Sequence, residues 1–81
     1  MKLKIAGDLQ QRIEQLLSIL NPEFRENKKE GCFEVTFTVA DARYLCMQLF
    51  QFGGKVEIVE PGEVRDVMVG MLEEGMGVYR R

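Results

Sequence analysis

Apolar and polar positions along the chain divide it into alternating short-period and helical-period segments. Lys2 to Ala6, "KLKIA", alternates polar and apolar with a period of two, as a strand with one buried face requires. Gly7 interrupts it. Asp8 then stands where a helix cap is expected, with Gln11 three residues on to complete a capping box. Leu9, Ile13, Leu16, Leu17 and Leu20 follow at helical spacing and make one apolar face. Asn21-Pro22 ends that helix, because the residue before a proline is pushed out of the α region. "EFRENKKEG" predicts a polar edge strand feeding a turn near Glu30-Gly31.

The clearest strand is "CFEVTFTVA". Phe33, Val35, Phe37 and Val39 face one way, and Glu34, Thr36 and Thr38 the other. Asp41 caps a second helix over Ala42 to Phe52, with an inner stripe of Ala42, Leu45, Cys46, Leu49 and Phe52. Gly53 is the left-handed cap that ends it. "KVEIVE" is the next strand, with Val56 and Ile58 inward and Pro61 at its exit. A last helix starts at Pro61 or Gly62 and carries the stripe Val64, Val67, Met68, Met71, Leu72 and Gly75. Gly70, Gly75 and Gly77 each weaken it by ~1 kcal/mol relative to alanine, which predicts fraying, or rescue by packing, toward Tyr79. The order βαββαβ plus a C-terminal helix predicts a single ferredoxin-like α+β domain over residues 1–81. In it, helices cover one face of an antiparallel sheet. The other face holds Lys2, Lys4, Glu34, Thr36, Thr38, Lys55, Glu57 and Val59.

Composition narrows the chemistry. The 81 residues carry a formal net charge of −2, without the basic excess of a nucleic-acid binder. There is no histidine, so the commonest general base and metal ligand are missing together. Cys32 and Cys46 are the only cysteines, too few for a structural zinc site, and they read as reduced thiols of a cytoplasmic protein. No apolar run approaches the ~20 residues that span a bilayer, and the N-terminus lacks a signal-peptide core. No cofactor is expected. Glu57 with Glu60, and Glu63 with Asp66, read as solvated charge rather than acid–base pairs, the latter two favouring a helix N-terminus. Gly53-Gly54 lies between a helix and a strand, the reverse of a phosphate cradle. An RNA-recognition module would put aromatic rings on the open sheet face, whereas both phenylalanines of "CFEVTFTVA" sit with the valines. An acylphosphatase-type enzyme would want an arginine just after the first strand, where Gly7-Asp8-Leu9 supplies none. The chain reads as a non-enzyme.

Apolar groups remain outside the core stripes. Tyr44 and Met47 lie opposite the second helix's inner face, with Phe50 at its margin. Either the last helix covers them, or they form a subunit or domain interface.

From Leu49 to Tyr79, "LFQFGGKVEIVEPGEVRDVMVGMLEEGMGVY" resembles the WYL C-terminal extension, or WCX domain, of bacterial transcriptional regulators. The family pattern is a helix ending in an aromatic or aliphatic residue plus glycine, a "VEVLEP" strand, "ELR" and a long final helix. Phe52, Gly53, Val56, Ile58, Glu60, Pro61, Glu63 and Arg65 carry the match, and "FEVTFTVAD" resembles the family's earlier strand. Gly62 and Val64 depart from it mildly. The resemblance implies a regulatory module that forms a homodimer or contacts a WYL domain. It also implies response to an effector, a nucleotide or nucleic-acid piece in some full-length members, with no direct DNA reading by this domain and no membrane. Neither the helix-turn-helix nor the WYL region lies in these 81 residues, which are then either a piece of a longer regulator or an orphan extension domain. Arg65 is the cation the motif carries over, as an effector contact or as a salt-bridge partner of Asp66 or Glu60. Arg12, Arg43, Tyr44 and Met47 are the other candidate effector or interface residues. The alternative is a self-standing ferredoxin-like small-molecule-binding or dimerisation module.

Overall fold

The computed structural model describes residues 1–80. Strands β1 (Lys2–Ala6), β2 (Glu23–Asn27), β3 (Cys32–Thr36) and β4 (Val56–Glu60) form one sheet in the order β2-β3-β1-β4. Every pairing is antiparallel, with Leu3 opposite Val35 on one side and Ile58 on the other. Helices α1 (Gln10–Leu16), α2 (Ala42–Leu49) and α3 (Gly62–Arg80) complete the chain. This is the ferredoxin-like α+β arrangement with an added C-terminal helix.

The alternation in β1 decides the layering. Leu3 and Ile5 are buried on the helix side, where they meet Ile13 and Leu17 of the α1 region, Leu45, Cys46 and Leu49 of α2, and Val35 and Ile58 of the sheet. Lys2 and Lys4 lie on the other face, where they pair with Glu34 and Glu30. Phe37 lies just past the end of β3 and still exchanges backbone hydrogen bonds with Met1, so it stays in the core layer at 5% exposure. Phe33 and Val39 are only half-buried against it. No aromatic ring stands among the open-face positions of β1 and β3. Lys55 and Thr38, expected on that face, fall outside the strands, and Lys55 sits in the turn before β4.

Several element ends differ from the sequence expectation. Asp8 makes no capping bond. The chain leaves β1 through a 3-10 turn, Gly7–Leu9, so Asp8 lies inside a helical turn rather than ahead of one. Its carboxylate instead takes Lys55 Nζ at 3.0 Å. Gly7 is held at that exit by space, since a Cβ there would stand 3.2 Å from the Gly31 carbonyl oxygen. Asp41 does cap α2, its Oδ1 accepting from the Tyr44 N–H at 3.1 Å. The α-helix stops at Leu49 rather than Phe52, and Phe50–Lys55 continues as tighter 3-10 turns broken by a kink at Gly53. Gly53 has the positive φ foreseen for a cap (57°), but its ψ of −133° belongs to a glycine-favouring turn rather than the left-handed helical well. α3 is helical without interruption from Gly62 to Arg80.

Candidate functional site

α3 carries most of the exposed large apolar side chains. It doubles back beside β4 and packs against β4 and α2. Its N-terminal half does the packing. Val64 is buried, Met68 and Met71 are half-buried, and the Cys46 thiol lies 4.0 Å from the Val64 carbonyl oxygen. Further along, Gly75 faces Phe50, whose ring would lie 3.5 Å from a Cβ at that position. The remaining apolar side chains are exposed: Val69, Leu72, Met76, Val78 and Tyr79 on α3, and Tyr44, Met47 and Phe50 at i, i+3 and i+6 from α2 onward. The last helix therefore packs through Val64, Met68, Met71 and Gly75, leaves Leu72 of its expected stripe exposed, and meets the α2 ridge at Phe50 without covering Tyr44 and Met47. Tyr44 at 61% exposure and Met47 at 58% form an unpartnered apolar surface.

Arg65 has a different partner from those expected. Neither Asp66 nor Glu60 receives it. Its Nη1 donates to Glu57 Oε2 at 3.2 Å and to the Ile58 carbonyl oxygen at 2.8 Å. The reason lies in strand geometry: β4 is the sheet's edge, and a carbonyl on its outer side has no neighbouring strand to serve it. One turn into α3, Arg65 reaches around that edge and ties helix to strand. Below it a cavity of about 380 Å³ opens between β4 and α3. Val56 and Ile58 form one wall, Met68, Val69 and Leu72 the other, and the Gly53–Gly54 turn closes the far end.

The other candidate cations are apart from this groove. The Arg12 guanidinium sits 5.3 Å from the centre of the Phe52 ring, a cation–π contact that holds the turn after α2 against α1. Arg43 is exposed on α2, and no ion pair among the described residues includes it. Arg65, Arg12 and Arg43 thus do not converge on one anion site. Sequence reasoning singled out Arg65 but missed the groove beside it. Its signal was the pairing of an edge strand with a helix that immediately follows it.

The shifted titratable groups are two buried thiols and two ion-paired carboxylates. Burial pushes the Cys46 and Cys32 thiols up, so both hold their protons more tightly than a free cysteine. A hydrogen bond and the charge of Lys4 hold the Glu30 carboxyl down, and Lys55 does the same for Asp8. These are exposed ion pairs on the sheet face and the α1 turn, and Lys55 stands between Gly54 and Val56 of the groove's lining. Among the described residues no three Cys, Asp or Glu side chains gather as a metal site needs, and no helix is long and apolar enough to cross a membrane.

Among curated proteins no match to the chain is found. The family model of the WCX domain matches residues 1–76, which takes in every strand, both core helices and the α3 segment that frames the groove. The chain accordingly belongs to the WCX domain family.

Proposed function

We propose that this chain works as the C-terminal regulatory module of a bacterial WYL-type transcriptional regulator, in the cytoplasm, contributing to dimer contacts and effector response. The WCX match over residues 1–76 is the observation that carries this reading. The surface chemistry supports a contact role over a catalytic one. Tyr44 and Met47 present apolar area at a helix face, which is the kind of group that repays desolvation at an interface. The lysines of the sheet face are paired with Glu34 and Glu30, so that face offers little uncompensated positive charge to a phosphate backbone. DNA reading belongs to a helix-turn-helix elsewhere in such a regulator. The chain's own part is to hold a neighbouring copy, or a WYL domain, in register.

Sedimentation of the 81-residue chain, alone and mixed with a WYL domain, tests this. The expected result is concentration-dependent association that Tyr44→Glu with Met47→Glu abolishes while the melting temperature is kept. A strict monomer at high concentration that also ignores the WYL domain overturns the reading. Arg65 has a separate test in the full regulator. If Arg65→Ala lowers stability and leaves effector affinity unchanged, its role is the helix-to-edge tie alone.

A further inference from the structure

The groove between β4 and α3 has two walls of different kinds, and together they specify what fits. The β4 wall is a strand edge. Ile58 sends its carbonyl outward, as its bond to Arg65 shows. Antiparallel alternation then puts the N–H and C=O of Val56, two residues back, on the same outer side, away from β1. No strand of the sheet lies beyond β4. Backbone groups of this sort are satisfied in register only by another extended segment, because a helix uses its own N–H and C=O groups internally. The α3 wall is apolar and open: Val69 is 47% exposed and Leu72 is 42% exposed, and both line the cavity.

We propose that this groove takes a short extended peptide segment, added to β4 as a fifth strand and carrying an acidic side chain next to Arg65. This proposal does not depend on the regulatory role above. The strand bonds come from Val56 and from the N–H of Ile58. Alternate side chains of the segment, those turned toward α3, rest on Val69 and Leu72. The pairing stops at Arg65, which already occupies the Ile58 carbonyl, so the segment is only a few residues long. Charge selects its end. Both contacts of Arg65 run through Nη1, which leaves Nε and Nη2 to meet a carboxylate of the segment. The occupant is thus apolar at alternate positions and acidic at the Arg65 end.

A random heptapeptide library selected against the 81-residue chain provides the probes, and the strongest binders are then made as synthetic peptides. The expected winners alternate apolar and polar residues and carry an acidic one. They slow amide exchange at Val56 and Ile58, and they lose binding when the N–H groups that face β4 are methylated. Leu72→Glu weakens them by about tenfold or more, a loss read directly in Kd, and Arg65→Gln removes the preference for the acidic residue. Four results overturn the proposal. The selection yields nothing tighter than about 1 mM. The winners bind as helices, with rising helical circular dichroism and indifference to N-methylation. They perturb Tyr44 and Met47 instead of the groove. Or the Val56 and Ile58 amides are already protected in the peptide-free chain in a concentration-dependent way, which gives the groove to a second copy.

Discussion

α2 and α3 each follow a strand and differ sharply in how much they bury. α2 has 8 residues and buries Leu45, Cys46 and Leu49, more than one residue in three. α3 has 19 residues and buries only Val64. α1 sides with α2: within 7 residues it places Ile13 at full burial, and Leu17 follows just beyond its end. Short helices are marginal in water and owe their stability to packing, so α1 and α2 are as long as the sheet beneath them can support. α3 is longer than that. One stripe, Val64, Met68, Met71 and Gly75, turns to its own domain; a second, Val69, Leu72, Met76 and Tyr79, does not. The difference separates side chains that make the fold from side chains that the fold presents.

The largest effect follows on the packed side. Ile13→Ala removes a fully buried side chain from the centre of the core and should cost about 2–5 kcal/mol in urea unfolding. Leu72→Ala, at a half-open position on the second stripe, should cost less than about 1 kcal/mol. If the two cost the same, α3's outer stripe is part of the core after all and the contrast collapses.

The two helices also differ in how well the sequence announced them. The α2 boundary at Asp41 was legible because a cap is a local device: one carboxylate and the N–H three residues on. The inner stripes and the strand alternation were legible for the same reason, and so was β2 as an edge strand, from its polar run. Asp8 misled because its pattern, an acid with Gln three residues later, is identical to a capping box. Only the tertiary contact with Lys55, which lies across the chain, shows that the carboxylate is used elsewhere. Arg65 was found by its motif, yet its partners are set by β4 being an edge, and strand order is not written in local periodicity. The groove escaped for that reason. The exposed Tyr44 and Met47 were visible as leftovers from the α2 stripe, while the glycines of α3 did not locate its end, which lies at Arg80.

Those glycines sharpen the comparison further. Gly70 and Gly77 lie inside α3, and a Cβ at either would meet nothing within 4 Å. Gly70→Ala and Gly77→Ala should therefore each stabilise the helix by about 1 kcal/mol, because the entropic cost of fixing glycine is removed without a clash. The informative question is where the gain shows. If α3 melts with the core, urea midpoints rise for both variants. If its second half opens separately, Gly77→Ala raises helical circular dichroism and slows local amide exchange, while the global midpoint moves only for Gly70→Ala.

The smallest expected effect concerns the turn between α2 and β4, which is tethered on the α1 side by two contacts, Arg12 on Phe52 and Lys55 on Asp8. On the α3 side, Arg65 makes the polar tie to β4 among the described residues. Both groups of the Asp8–Lys55 pair are well exposed, so its worth is small and falls with salt. Its pH signature is nonetheless specific. A hydrogen bond from Lys55, and then its charge, hold the Asp8 carboxyl below its ordinary value in the folded chain. A depressed carboxylate contributes stability that is complete above the unfolded value of ~3.9 and disappears as pH falls through the lower folded one. Asp8→Asn should consequently lower the melting temperature slightly at neutral pH and in low salt. The gap from the parent chain should close on acidification below ~3.9, and also in high salt at neutral pH. Glu30→Gln should behave in the same way, since Lys4 lowers Glu30 by the same means. A gap for Asp8→Asn that persists in acid would mean that the side chain holds the turn by packing or by a neutral hydrogen bond. The α1 side of the turn would then be fixed without charge, in contrast to the ionic tie that Arg65 makes on the α3 side.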